Sequence, residues 1–415
     1  MRARILLWIK RLWRTPGVRI SAYGAAALLI AFIAPFLDQS IPDSLTERFT
    51  RDAVMPILSI LASSMLAVTT FSLGMMVTAF RSAADQATPR VYNILMQDMT
   101  TLNVLSVFVG AFLFSLGAIV MFRAGFYGES GAVIVFALTI VCIVMIVVAI
   151  LRWIAHLSRL GSLDHTLGMV EQAARPSLKR LAEARYLGGR AADNAPRIPD
   201  DAKPLPSPES GFVQFISMSE LHARLEEDDA RLWVTTSPGS WVLKGSPLGY
   251  VEGDTDIDEL IDNFTMGGRR TNEQDARFGI VILSEVASRA LSPGINDPGT
   301  AIDIIHRVER LLWELGLKLC DADREDELKY DRVIIGTVSA EDLIQDGYAS
   351  LMQDGGARYE VMAQMLKATN RLTTSEWPEL AKAAEKARDS ALAIIDRRID
   401  DGDALKSLQK KAQEP

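Results

Sequence analysis

Four uncharged runs, at 20–37, 53–80, 99–122 and 130–151, crowd the first 155 residues of the chain. A helix needs about 20 apolar residues to cross bilayer hydrocarbon, and each run approaches or exceeds that length. Backbone amides have no water to bond in lipid, so such runs fold as helices that satisfy themselves. The expected architecture is a membrane all-α region of four transmembrane helices over 20–155, followed by a cytoplasmic α+β domain.

The flanking charges set an orientation. Arg2, Arg4, Lys10, Arg11, Arg14 and Arg19 precede the first run with no acidic residue among them, which places that end in the cytoplasm by the positive-inside bias. Ile5, Trp8, Ile9, Leu12 and Trp13 share one helical face, so 1–19 reads as a basic amphipathic N-terminal segment lying at the headgroups; a plain topogenic flank is the alternative. No small-residue cleavage site follows, and the first span is expected to be retained. Four spans return the chain to the cytoplasm. Arg81, Arg90, Arg152 and Arg159 then lie inside, and Arg48, Arg51 and Arg123 outside.

Charge divides with the membrane boundary. Residues 1–155 hold 12 Lys or Arg against 7 Asp or Glu, whereas the rest hold 32 against 45. An acidic soluble region excludes a nucleic-acid partner, which demands a basic footprint. Cys142 and Cys320 cannot build a disulfide framework. No His or Cys pairing has zinc spacing, and no P-loop, Rossmann glycine signature or Gly-x-Ser-x-Gly elbow occurs. No metal or cofactor is expected.

Beyond the spans, 156–187 keeps helical composition and reads as a connecting helix, and 188–210, rich in Gly, Pro, Asp and Ala, as a linker. A small β-rich unit fills 211–270. Strands are predicted at 212–218, 232–235, 241–243 and 248–251, separated by a helix at 220–228 capped by Ser219 and by the turns Ser237-Pro238-Gly239 and Lys244-Gly245. The pattern GSWVLKGSPLGYV resembles the hammerhead sheet of lipoyl and biotinyl carrier domains, without their modified lysine motif. Glu252, Asp254, Asp256 and Asp258 lack the glycine and the final glutamate of a calcium loop and read as a solvated acidic loop.

A mainly helical domain is expected over 271–415. Thr271 or Asn272 starts a helix to Leu291, Thr300 caps the next with Asp303 in the capping-box position, a strand follows at 333–338, and Ser339 caps another helix. Trp377, Leu380, Ala384, Ala387, Ala391 and Ile394 recur at helical spacing. That seam suits pairing of subunits or packing onto its own domain.

The block QDARFGIVILSEVASRALSPGINDPGTA at 274–301, with Arg289, Ser292, Pro293, Asn296, Asp297, Pro298 and Thr300, resembles the signature of a bacterial family of predicted membrane proteins, domain of unknown function 2254. The Thr-rich second run leading to Phe80 and the Pro89-Arg90 pair extend the resemblance over most of the chain. It implies a four-span region in a bacterial membrane and supplies no catalytic role; with the charge bias, the expected location is the inner (plasma) membrane with both termini cytoplasmic.

Two constellations carry functional weight. In the second run Asp52, Pro56, Ser59, Ser63, Ala67, Thr70, Gly74, Thr78 and Arg81 fall within a sector of roughly 100° of helix, with no large apolar side chain among them. Small and hydroxyl-bearing faces are the usual contact surface between membrane helices. The alternative is a polar path with Asp52 and Arg81 at its mouths, built by several subunits around an axis. No charge lies within any hydrocarbon stretch, which disfavours ion-coupled transport. The second constellation is Asp303, His306 and Arg310, which share one helical face beside the 292–300 turn and would orient an imidazole for acid-base work; as turn formers and caps these same residues are ordinary. The expectation is a homo-oligomeric passive ion channel or pore in the lipid bilayer, with a cytoplasmic assembly or gating domain and a small ion as its passenger. The alternative is a membrane-anchored sensor or scaffold whose cytoplasmic domain binds a ligand or protein partner. No enzyme is expected.

Overall fold

A computed structural model describes residues 15–33, 50–192, 197–321 and 328–412. Most of the N-terminal segment expected over 1–19 therefore lies outside the described residues. Contacts divide the chain into two units, Arg2–Thr166 and Leu167–Pro415.

The first unit is helical: α1 (Pro16–Ile33), α2 (Arg51–Gln86), the short α3 (Pro89–Leu95), α4 (Met99–Arg123) and α5 (Glu129–Leu157). Among the described residues three helices are long and apolar enough to cross a membrane, Arg51–Gln86, Met99–Arg123 and Gly131–Leu157, and the first run forms the shorter apolar helix Gly17–Ile33. Three of the four expected runs thus form helices of spanning length, and the first, expected over 20–37, is described only as far as Ile33. Helix α4 is central, packing against α1, α2 and α5. One core joins Ala31, Val54, Leu58, Phe114, Ala118 and Val135, where the Tyr127 hydroxyl donates to the Ala31 carbonyl at 2.5 Å. The α5 side chains Val141, Val144, Val147 and Leu151 are exposed, as lipid-facing apolar residues must be.

The connecting helix expected over 156–187 is two helices. After α5 ends at Leu157 the chain turns through Gly161, whose φ of +89° glycine adopts without strain, and α6 (Leu163–Glu183) begins. The stretch read as a linker contributes two strands, β1 (Gly189–Ala191) and β2 (Lys203–Pro206). They join β4 (Arg231–Val234), β6 (Pro247–Glu252) and β8 (Tyr330–Ile335) in a five-stranded sheet ordered β1-β8-β4-β6-β2. In it β1 and β4 run parallel to β8, whereas β6 is antiparallel to β4 and β2. A second, antiparallel sheet has the order β5-β3-β7, from β3 (Gly211–Ile216), β5 (Trp241–Val242) and β7 (Phe264–Gly267). Helix α7 (Met218–Glu227) and the short α8 (Ile257–Ile261) complete this part. Its core holds Val213, Leu221, Leu232, Leu248, Phe264 and Val333. Helix α7 starts after Ser217, two residues before the predicted cap, and the Ser217 hydroxyl binds the Glu220 carboxylate at 2.9 Å.

The remaining helices are α9 (Phe278–Ala290), α10 (Pro298–Leu319), α11 (Ala340–Gly355), α12 (Tyr359–Thr373), α13 (Pro378–Arg398) and α14 (Gly402–Lys411). Helix α9 begins later than the Thr271 start because Asp275, 1% exposed, holds Arg270 through two hydrogen bonds and takes the Arg277 and Phe278 amides on its other contacts. Helix α10 is capped by Asp297 rather than Thr300: the Asp297 carboxylate accepts from the Thr300 amide at 3.1 Å and its hydroxyl at 2.6 Å, with Pro298 at the first helical position. Asp303 consequently takes no part in a capping box and binds Arg307 at 2.7 Å. Ser339 forms its capping box with Asp342 as expected. Polar pairs Arg277–Asp346, Ser284–Ser350 and Ser288–Asp354 advance together along α9 and α11, so these helices run parallel. The 377–394 seam is buried against its own domain, with α13 packed on α11 and α12.

Candidate functional site

Helix α2 turns its sequence-predicted stripe outward. Asp52, Pro56, Ser59, Ser63, Ala67, Thr70, Gly74, Thr78 and Arg81 are all exposed. The side chains that α2 buries, Val54, Leu58, Met65, Ser72, Met76, Phe80 and Ala83, lie on the opposite side of the helix, about 180° away at 100° per residue. The stripe is therefore not the surface by which α2 packs within the chain. Exposed Ile60, Leu66, Phe71 and Leu73 border it on both sides.

The hydroxyls on that face bond backward along the helix. Ser63 donates to the Ser59 carbonyl at 3.0 Å, Thr70 to Leu66 at 2.9 Å and Thr78 to Gly74 at 3.0 Å. A hydroxyl has one proton and two lone pairs, so with the proton committed each oxygen offers only acceptor capacity to whatever faces the stripe. Pro56 adds to this, because it lacks the amide that would bond the Asp52 carbonyl.

The family-signature residues assemble into a tight connection between α9 and α10. The Ser292 hydroxyl donates to the Arg289 carbonyl at 2.6 Å, the Asn296 amide to the Ser292 carbonyl at 2.9 Å, and the Asp297 amide to the Ala290 carbonyl at 2.8 Å. Asn296 sits at φ +55°, a left-handed conformation that asparagine tolerates best among non-glycine residues. The Thr300 hydroxyl and amide hold the Asp297 carboxyl below its usual range. Pro293, Gly294 and Asn296 are exposed. These bonds close the turn on itself.

The acid-base group does not assemble around His306. Asp303 is committed to Arg307, Arg310 binds Glu171 at 2.6 Å and 3.0 Å, and the His306 ring is exposed. Glu171 instead gathers Arg175, Arg307 and Arg310; burial raises its carboxyl, but Arg310 and Arg175 outweigh it and lower it. This network ties α6 to α10.

A cluster that the sequence did not expose lies where α4 begins and α5 ends. Asp98 caps α4, accepting from the Thr100 and Thr101 amides at 3.3 Å and 2.9 Å, and its Oδ2 lies 2.7 Å from His156 Nε2. Burial raises the Asp98 carboxyl, but the bonds from His156 and Thr101 prevail and bring it to about 2. The His165 ring meets the His156 ring edge to face at 5.7 Å. Only the Asp98–Thr101 cap had a local signal; the histidines are 55 residues or more from Thr101's neighbourhood in sequence, and no periodicity links them.

Comparison with known proteins agrees with the membrane architecture. The family described as "Predicted membrane protein (DUF2254)" matches residues 10–371. Uncharacterized proteins of Mycobacterium bovis and Mycobacterium tuberculosis are each 24% identical over 312 residues, covering 71% of this chain. The chain spans 58% of the length of these curated relatives. No solved structure matches it.

Proposed function

The chain belongs to the DUF2254 family of predicted membrane proteins, and from that premise we propose that it forms a homo-oligomeric passive pore in the bacterial inner membrane, with α2 facing the axis. The observation that carries this reading is the outward position of the α2 stripe, directly opposite the face that α2 buries in its own bundle. Small and hydroxyl-bearing faces let membrane helices approach closely, so a second copy is the natural neighbour. A four-helix subunit is too small to enclose a wide path, and several copies around an axis provide one. In this arrangement the first apolar run acts as a fourth span, both termini are cytoplasmic, and the soluble domain serves assembly or gating.

The chemistry of the stripe favours cations. Ser63, Thr70 and Thr78 present oxygen lone pairs because their protons are used along the helix, and rings of such acceptors replace part of a cation's hydration shell. Purified protein in planar bilayers should conduct with a reversal potential on the cation side. Thr70→Leu should reduce that current by about tenfold or more while leaving the detergent-solubilised mass unchanged. Silence from a well-assembled oligomer across voltage, pH and divalent ions would overturn the pore.

A further inference from the structure

His165 lies in the first turn of α6. Its Nε2 is buried with no hydrogen-bond partner. An imidazolium donates from both ring nitrogens, so whichever nitrogen holds the proton in the neutral ring, the charged ring needs an acceptor at Nε2 and finds none. Asp98, the carboxylate that most favours a charge on His165, is already taken: it binds His156 at 2.7 Å, caps the α4 amides and accepts from Thr101. Protonation of both rings would set two imidazolium ions 5.7 Å apart against one carboxylate.

We propose that His156 and His165 form an acid-sensitive clasp at this end of the membrane unit: neutral His165 lets the first turn of α6 rest against the end of α5, and protonation of His165 drives it away. The groups acting on His165 are His156 from α5 and Arg159 from the connecting turn, which oppose its charge, and Asp98 from α4 and Asp164 from its own helix, which favour it. Burial, followed by the His156 charge, outweighs the carboxylates and lowers the His165 pKa from 6.5. A depressed histidine stabilises the closed state above the unperturbed value and loses that contribution as pH falls through the lowered one. The clasp is accordingly shut at neutral pH and opens on acidification. The proton comes from bulk water and no other co-reactant is involved. His165 lies just before the division at Leu167, so the segment released is the one through which the chain passes from the membrane unit to the second unit.

Hydrogen exchange on the full chain in lipid nanodiscs, corrected for the intrinsic pH dependence of exchange, tests this. Protection over 158–166 should fall by about tenfold between about pH 7.5 and about pH 5, with a midpoint below the ordinary histidine value. His165→Gln, or His165→Phe if the amide variant assembles poorly, should keep the segment protected throughout. His156→Gln leaves His165 in place and removes the ring whose charge would oppose it, so its midpoint should move upward. Asp98→Asn should move it downward. An unprotected or fully protected wild type across the range, a profile shared with both His165 variants, or a midpoint unmoved by His156→Gln would overturn the clasp.

Discussion

Helix α2 carries Ser59, Ser63, Ala67, Thr70 and Gly74, and helix α13 carries Ala384, Ala387 and Ala391, both sets at three- and four-residue spacing. In α13 that face is buried against α11 and α12 of the same domain. In α2 it is exposed, and large side chains on the far side do the packing. Small residues at helical period announce a close approach without naming the neighbour. In α13 the chain supplies the neighbour, and in α2 it does not.

The contrast is broken most forcefully in the second unit. Asp275→Ala removes a buried carboxylate that holds Arg270 and two amides. Orphaning a buried pair costs about 3 to 5 kcal/mol, and denaturant unfolding of the second unit should report it; a loss near zero would mean that this interior is not closed. A matched pair of substitutions comes next. Ala391→Leu should cost about 2 to 3 kcal/mol by overpacking a filled core, whereas Ala67→Leu on the exposed face of α2 should leave unfolding unchanged. Equal effects on stability would erase the distinction between the two faces. Ser63→Ala should have the smallest effect. Its hydroxyl bonds its own helix, so stability should change by less than about 0.5 kcal/mol, with current, if the pore reading holds, falling only a few-fold.

Much of the second unit was legible because turns punctuate it. The Ser237-Pro238-Gly239 and Lys244-Gly245 turns separate β4, β5 and β6 close to where the sequence places them. Gly239 shows why that punctuation is strict: at φ +92°, an added Cβ would meet the Asp275 carboxylate at 2.3 Å. Strand β2 was hidden by Pro204 and Pro206, which argue against a central strand but are tolerated at a sheet edge, where β2 lies. The α10 cap was misassigned although its signal was present: Asp297 followed by Pro298 is a helix start with proline at the first position. The stripe on α2 was visible as a period, but its outward direction was not, since that depends on which face α4 covers. The Asp98–His156–His165 cluster joins the cap of α4 to two histidines far along the chain and leaves no local pattern.

The five-stranded sheet imposes an order on synthesis. Gly189 of β1 aligns with Tyr330 of β8, and β4 reaches β1 only through β8. Pairings between such distant segments form slowly because a long loop must close first. A ribosome that has delivered β1 through β7 has therefore made two strand edges with nothing between them, and those edges stay open to other chains until the residues beyond α10 emerge. The β-rich segment cannot mature as an autonomous module during translation; its completion waits on a strand encoded after two further helices.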